Sequence, residues 1–410
     1  MTDAPGSGSG GRRHRSFTQQ EPIDEAAIAA AVRVLRSGRL HRYNVEPGEV
    51  AEAALLEAEY AQWQGARYCL ACASGGYAMA TALRAAGLGR DEPVLTNGFT
   101  LAPVPGAIVG AGGRPVLVEI TEDLVLDLAD LEAKIASSGA RFLLLSNMRG
   151  HLTDMDRLCA VLARHGVALI EDCAHTMGAT WNGRKSGSFG LAGCFSTQTY
   201  KHLNSGEGGL LVSDDAEFVA RATMLSGSYM LYGRHGAGPE LDVFAEIRLD
   251  TPNLSGRMDN LRAAILRPQI AGLDQNIRRW NERYRAVEEE LRHAAPPLRV
   301  IPRPAAEGFV GSSIQFQVPG IAPAQAEAFL AALLAEGIEV KWFGAAEPVA
   351  FTSTHRSWRY VAAQELPRTD RILSGLFDMR LPLTFSLQDC AEIGRGIADT
   401  ARQLGLRSAA

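Results

Sequence analysis

Cysteine is scarce in this chain, long apolar runs are absent, and neither sign of charge dominates. Only 6 of the 410 residues are cysteine, too few for a disulfide-stabilised fold of this length, so we expect reduced thiols. The most apolar stretch, Leu101 to Gly110, is short and contains two prolines. No apolar leader follows the charged N-terminus. We therefore expect a cytoplasmic protein with no membrane partner.

The charge balance also argues against a nucleic-acid partner. The 41 Lys and Arg residues face 46 Asp and Glu residues, a net charge of -5, which provides no broad basic surface. Hydrophobic residues make up 46% and charged residues 21%, values typical of soluble globular proteins. At roughly one domain per 150 residues, this length predicts two or three domains, or one large α/β domain with an appendage.

The patterns along the chain divide it into four parts. Residues 1–20 are rich in Gly, Ser and Arg, which predicts a flexible tail. Residues 21–257 contain entry helices and then short apolar runs alternating with amphipathic segments, a pattern typical of a large, mostly parallel sheet wrapped by helices. Residues 258–295 predict one bridging helix, and residues 296–410 a smaller C-terminal α+β domain. The predicted fold class is α/β.

Residues that follow the strands of such a sheet are candidates for ligand binding. Ser74-Gly75-Gly76 stands between the first strand and a helix, where free backbone N–H groups and the helix dipole attract an anion such as phosphate. A plain strand-to-helix turn would give the same pattern. Asp172 and His175 follow a second buried strand. Asp172 could instead cap a helix, and His175 could be a hydrogen-bonded core histidine.

Lys201 is the third candidate, on a loop between a strand that ends at Ser196 and a glycine-rich stretch. A lone lysine is usually a solvated surface charge. A lysine near a phosphate site and a buried acid, however, fits a Schiff base to pyridoxal 5'-phosphate. Asp172 would then keep the pyridine nitrogen protonated, and Ser196 would join Ser74 at the phosphate.

The motifs closely resemble those of the DegT/StrS-type sugar and aminocyclitol aminotransferases, a family of fold-type I pyridoxal phosphate enzymes. The resemblance covers about residues 43–397 and rests on SGG, IEDCAHTMGA, GSFGLAGCFSTQTYKHLNSGEGG and RMDNLRAAIL. It implies that Lys201 is the Schiff-base lysine, that Asp172 contacts the ring nitrogen, and that His175 contacts the ring face or phenolic oxygen. It also implies that Ser196 binds phosphate.

The resemblance further implies a homodimer with shared active sites. The family's Asn-x-Arg-Met motif, whose Asn reaches the partner's phosphate, reads Ser255-Gly256-Arg257-Met258 here, with Asn253 upstream. Either Ser255 or Asn253 could take that role. The position of the aromatic residue that stacks on the ring aligns with Leu101, although Phe99 is near.

The predicted function is transfer of an amino group from glutamate or glutamine to a keto-sugar or keto-cyclitol. The motif from Ser196 to Gly209 resembles a branch acting on keto-cyclitols, whereas KWFG at 341–344 resembles one acting on keto-sugar acids. Alternatives are a sugar dehydratase, whose family hallmark is a histidine at the position of Lys201, and a non-catalytic regulatory relative. No metal site is predicted, since Cys69-x-x-Cys72 lacks a second ligand pair.

Overall fold

The computed structural model describes residues 16–294 and 298–406. Its helices are α1 (Glu25–Ser37), α2 (Glu52–Gln64), α3 (Gly75–Ala85), α4 (Pro103–Gly110), α5 (Leu128–Ser138), α6 (Met155–His165), α7 (Ala216–Leu225), α8 (Phe244–Asp250), α9 (Asn260–His293), α10 (Pro323–Ala335), α11 (Pro367–Ser374) and α12 (Leu387–Gln403). Its strands are β1 (Tyr68–Cys72), β2 (Pro93–Asn97), β3 (Arg114–Val118), β4 (Phe142–Ser146), β5 (Ala168–Asp172), β6 (Thr180–Trp181), β7 (Arg184–Lys185), β8 (Ala192–Ser196), β9 (Gly209–Ser213), β10 (Arg299–Val300), β11 (Glu307–Gly308), β12 (Ser313–Gln317), β13 (Lys341–Trp342) and β14 (Leu376–Arg380).

A seven-stranded sheet with the order β1-β9-β8-β5-β4-β2-β3 forms the larger part of the molecule. The pairs from β3 to β8 are parallel, and β9 is antiparallel to both of its neighbours. The strands are almost wholly apolar and buried because helices cover both faces. Parallel strands end at the same edge, and register places Ser146 at the end of β4 opposite Asp172 at the end of β5. That edge carries the site described below.

The smaller part is an antiparallel sheet with the order β10-β12-β14-β13, packed against α10 and α12. Helix α9 contacts α1 and α2 on one side and α12 on the other, so it joins the two parts. Asp259 begins the helix by accepting a hydrogen bond from the Arg262 amide at 2.9 Å. The proposed division into domains at residues 257 and 295 stays a prediction.

The N-terminal segment packs against the rest of the protein from Phe17 onward, before the predicted boundary at residue 20. Phe17 is 2% exposed, and its ring packs edge-on against Phe385 with the centroids 4.9 Å apart. Gln19 also adjoins the C-terminal part, since its carbonyl oxygen accepts a hydrogen bond from Thr384 Oγ1 at 3.3 Å. Residues 1–15 of the tail predicted for residues 1–20 lie outside the described residues. None of the helices in the described ranges is both long enough and apolar enough to cross a membrane.

Candidate active site

The first wall of the site is the N-terminus of α3. Ser74 caps this helix, since its Oγ accepts a hydrogen bond from the Tyr77 amide at 3.1 Å. The amides of Gly75 and Gly76 are in the first turn, where N–H groups have no helical acceptor. A Cβ on Gly75 would stand 3.0 Å from the Cβ of Ser196. The glycine thus lets the end of β8 approach the helix N-terminus, and two hydroxyls and two amides form a cup suited to phosphate.

Asp172 lies at the carboxyl end of β5 and is buried. Its Oδ1 accepts a hydrogen bond from the Ala174 amide at 3.1 Å, and its Oδ2 accepts one from Ser146 Oγ at 3.1 Å. Ser146 Oγ in turn accepts from Thr100 Oγ1 at 2.7 Å. Burial raises the pKa of Asp172, while the Ala174 amide and Lys201 oppose that shift. A cationic partner in the cavity would therefore be strongly favoured.

Lys201 lies on a loop that folds back on itself after β8. The Lys201 amide donates to Gln198 O at 2.8 Å, and the Thr197 amide donates to Gly208 O at 2.9 Å. The side-chain Nζ is 2.9 Å from His175 Nε2. Burial lowers the pKa of Lys201 to about 7, with Arg149 acting in the same direction and Asp172 against it. Burial also lowers the pKa of His175 well below its usual value, so the imidazole is neutral.

The neighbouring acid, Glu171, has a structural task on the opposite face of β5. Its carboxylate accepts hydrogen bonds from the amides of Gly187, Phe189 and Gly190 at 2.9, 2.8 and 3.3 Å. Burial raises the pKa of Glu171 to about 7, although these amides oppose the shift. Glu171 therefore fixes the turn that enters β8 and does not face the cavity.

These groups line one cavity of about 290 Å³. It brings together seven of the eight predicted site residues: Ser74, Gly75, Gly76, Asp172, His175, Ser196 and Lys201. A cup for phosphate, an acid and a nearly neutral lysine in a single cavity fit pyridoxal phosphate. Ser74, Gly75, Gly76 and Ser196 would hold the phosphate, Asp172 the ring nitrogen, and Lys201 the aldehyde carbon.

Ser255, the eighth residue, lies outside this cavity and is exposed. Asn253 is also exposed, but its Oδ1 already accepts a hydrogen bond from the Tyr229 amide at 2.7 Å. A role for either in a partner's site stays a prediction.

The sequence also left open whether Leu101 or Phe99 packs on the cofactor ring. Leu101 lines the cavity, whereas Phe99 is 1% exposed and packs on Phe343.

The structure adds cavity residues that the sequence analysis did not identify. Ser146 ends β4, Arg149 follows that strand, and Arg380 ends β14 in the small sheet. Ser146 ends a strand and Arg149 closely follows it, so both could have been found by the same reasoning as Asp172. Arg380 had no such signal, because it ends a strand of the other sheet and reaches the cavity only through tertiary packing.

Two other groups of side chains lie away from the cavity. Cys69 and Cys72 are buried in β1, and no cluster of metal-ligating side chains occurs within residues 16–294 and 298–406. His235 belongs to a buried network in which Arg42 pairs with Glu57 at 2.7 Å and Tyr43 Oη lies 3.1 Å from His235 Nδ1. That network holds the segment after α7 against α2.

The sequence has relatives of known description. A pleiotropic regulatory protein of Geobacillus stearothermophilus is 31% identical over 250 residues, 60% of this chain and 60% of that protein. An L-glutamine:2-deoxy-scyllo-inosose aminotransferase of Streptoalloteichus tenebrarius is 34% identical over 261 residues, 62% of this chain and 60% of that protein. The matched region thus spans less than two thirds of these relatives.

Solved structures share the fold over nearly the whole length. The crystal structure of 3-amino-5-hydroxybenzoic acid synthase has a TM-score of 0.80 at 24% identity, covering 95% of this chain and 99% of that one. A GDP-4-keto-6-deoxy-D-mannose-3-dehydratase of E. coli with bound hydrated pyridoxal phosphate has a TM-score of 0.79 at 18% identity, covering 93% and 98%. The predicted fold-type I architecture is confirmed. Because the family pattern itself matches residues 21–397, the chain belongs to the DegT/DnrJ/EryC1/StrS aminotransferase family.

Proposed function

We propose that this protein is a pyridoxal phosphate-dependent aminotransferase that moves an amino group from glutamate or glutamine to a keto-sugar or keto-cyclitol. The observation that carries the proposal is the buried amine of Lys201, with its pKa near 7, in the cavity that also holds Asp172 and the phosphate cup. Membership of an aminotransferase family and a relative that uses L-glutamine support it.

The roles of the residues follow from their chemistry. When bound, pyridoxal phosphate supplies an electron sink for negative charge that develops beside its aldehyde carbon. Asp172 would hold a proton on the ring nitrogen, because an anion stabilises the cationic ring. Lys201 Nζ would hold the cofactor and, once displaced by the amino group of the donor, would take the proton from the donor's Cα. His175 Nε2, which is neutral and 2.9 Å from Lys201 Nζ, accepts its hydrogen bond and orients the amine.

Label transfer tests the reaction type. The holoenzyme would be given glutamine or glutamate with ¹⁵N in the α-amino group, together with a keto-sugar or keto-cyclitol such as scyllo-inosose. We expect the label in the amino product and the 2-oxo acid in equal amount. If the acceptor loses an oxygen and no label is found in the product, the protein is a dehydratase and the proposal is wrong.

The two alternatives are tested by different observations. A regulatory protein that only binds the cofactor would show no change in cofactor absorbance on addition of glutamine or glutamate. A dehydratase of this family is expected to have histidine at position 201, and this chain has lysine. Bleaching of the bound cofactor by an amino donor, at a rate compatible with turnover, therefore separates an enzyme from the regulatory protein, and the label transfer separates the aminotransferase from the dehydratase.

We also propose a homodimer in which the partner's Ser255 approaches the phosphate cup. Ser255 adjoins an exposed apolar surface, which we call the 229–254 surface: Tyr229, Met230, Leu241, Leu249 and Leu254, 39–68% exposed. Exposed apolar side chains in such number favour an interface. Asn253 is the alternative, because its Oδ1 accepts a hydrogen bond from the Tyr229 amide and its Nδ2 is the group that would donate to a phosphate.

A further inference from the structure

One end of the active-site cavity is strongly cationic, and the proposed reaction leaves this charge unexplained. Arg149 and Arg380 line the cavity beside Tyr200 and Phe351. Lys341 adjoins them on β13, where register pairs it with Asp378 of β14. The phosphate cup lies on another wall, at the N-terminus of α3. The cationic end therefore faces whatever reacts at Lys201.

The positive charges outnumber the acid that faces them. Asp378 is fully buried, and Arg149 Nη2 approaches its Oδ2 to 2.9 Å without hydrogen-bond geometry. The other carboxylate oxygen, Asp378 Oδ1, accepts a hydrogen bond from Gln315 Nε2 at 2.8 Å. Within the described residues, Arg149 Nε, Arg149 Nη2 and Lys341 Nζ are buried without a hydrogen-bond acceptor. Buried cations without acceptors are costly, so an anionic ligand would restore the balance.

Arg149 is held in place at a conformational cost. Its side chain is 5% exposed, and its backbone has φ 54°, in the left-handed region that a residue with a Cβ seldom adopts. Such backbone geometry is strained, and it is concentrated at functional sites. The turn that follows β4 places the Arg149 side chain on the cavity wall in this strained conformation.

Arg380 is oriented by aromatic rings and has no carboxylate within ion-pair distance in the described residues. Its guanidinium carbon lies 4.0 Å from the centroid of Tyr200 and 5.5 Å from that of Phe351. Such stacking leaves the N–H groups at the edge of the guanidinium plane free to donate. Since Tyr200 precedes Lys201, this group is close to the reacting amine.

We propose that Arg149, Arg380 and Lys341 form a subsite that binds the carboxylate of a compound reacting at Lys201. The proposal deepens the proposed function and rests on it, because an amino-acid donor brings a carboxylate next to the reacting carbon. Two guanidinium groups and an ammonium group match the planar, two-oxygen acceptor of a carboxylate. The carboxylate could come from the amino donor or from an acidic keto acceptor, and the test separates these sources.

The affinity of the subsite can be measured without turnover by binding of a carboxylate that does not react. Maleate would be titrated calorimetrically into the holoenzyme, with neutral maleamide as the control ligand. We expect Arg380→Gln to raise the Kd for maleate about tenfold or more, since charge-assisted hydrogen bonds are lost, and Arg380→Lys to recover part of the affinity. Arg371→Gln removes an equal charge from an exposed surface pair and should leave the Kd unchanged. Equal Kd values in wild type and Arg380→Gln would overturn the subsite.

The half-reactions identify the source of the carboxylate. Glutamine would be tested with the pyridoxal form, and two cyclic ketones, neutral scyllo-inosose and carboxylated 3-dehydroquinate, with the pyridoxamine form. If Arg380→Gln raises half-saturation for glutamine alone, the carboxylate is the donor's. A raised value for 3-dehydroquinate, with scyllo-inosose unaffected, places an acidic acceptor there too. If no half-saturation value changes, the subsite does not serve catalysis and the proposal is wrong.

Arg149→Gln provides a second variant, although it leaves Asp378 with less compensation and could impair folding. A thermal melt would show whether Arg149→Gln folds, and Arg380→Gln alone tests the subsite if it does not.

Different results would refute the proposed function and the proposed subsite. Maleate binding that depends on Arg380, without amino transfer from any donor, removes the proposed function and keeps the subsite. Amino transfer with maleate binding that is independent of Arg380 does the reverse.

Discussion

At the scale of single residues, the Lys201 amine is the group on which pH should act most directly. Its pKa is lowered from 10.5 to about 7, because burial and then Arg149 disfavour the charged form. Only the neutral amine attacks the cofactor aldehyde. Covalent attachment of pyridoxal phosphate to the cofactor-free protein should therefore speed up as pH rises through about 7 and level off above it. Stopped-flow absorbance across pH would measure this.

Arg149 lowers the pKa of Lys201, and this effect gives an internal control. Removing that cation favours the protonated amine, so Arg149→Gln should move the midpoint of the attachment rate to higher pH. Lys201→Ala should abolish covalent attachment at every pH and with it turnover. A wild-type midpoint near 10 would show that the amine is not desolvated, contrary to the structure.

Asp172 should control proton transfer and not folding. Asp172→Asn keeps the shape but cannot stabilise a proton on the ring nitrogen by charge, so the donor half-reaction should slow by roughly 10²-fold or more. Single-turnover absorbance with glutamine measures the rate. The matched control is Ser146→Ala, which removes the 3.1 Å hydrogen bond to Asp172 but keeps the carboxylate, and it should slow the reaction less. An unchanged rate in Asp172→Asn would assign the ring partner elsewhere.

At the scale of elements, the contact between β9 and the start of α3 shapes the phosphate cup. A Cβ on Gly209 would overlap the carbonyl group of Ser74. Gly209→Ala should therefore displace the N-terminus of α3 and raise the Kd for pyridoxal phosphate about tenfold or more, because the amides lose their alignment with the phosphate. Fluorescence titration of the cofactor-free protein measures this Kd.

The control for that change is Gly272→Ala in α9. Nothing stands within 4 Å of a Cβ at Gly272, so alanine should raise the unfolding free energy by up to about 1 kcal/mol through helix propensity and leave cofactor affinity unchanged. If Gly209→Ala bound the cofactor as tightly as Gly272→Ala, the cup would not depend on this contact.

At the scale of the whole molecule, we expect the 229–254 surface to be buried at the interface of a homodimer. Replacing Met230 and Leu249, which are 62% and 68% exposed, by Asp should give monomers in sedimentation velocity, because the charges would be desolvated at the interface. Leu334→Asp, on an equally exposed leucine of α10 (64%), should leave the dimer intact. A fully active wild-type monomer at assay concentration would contradict the shared site.

Site residues could be predicted from the sequence where a local pattern of neighbouring residues marks them. Ser74 follows a strand, and Asp172 and Ser196 each end one, so strand recognition alone located them at one edge of the sheet. Lys201 lies on the loop after β8, and its local pattern was enough to single it out. The sequence could not distinguish Leu101 from Phe99 at the ring, because both follow β2. Only packing places Phe99 against Phe343 and leaves Leu101 in the cavity.

The sequence by itself determined the alternation of strands and helices, the family and the cofactor chemistry, because each rests on local periodicity or on short motifs. Tertiary structure alone decided what surrounds the reacting amine. Arg149, in the turn after β4, and Arg380, at the end of β14 in the small sheet, both line the cavity. Burial of Lys201 and the charges of these two arginines lower its pKa. Those effects depend on desolvation and on charges brought together through space, and neither is encoded at any one position of the sequence.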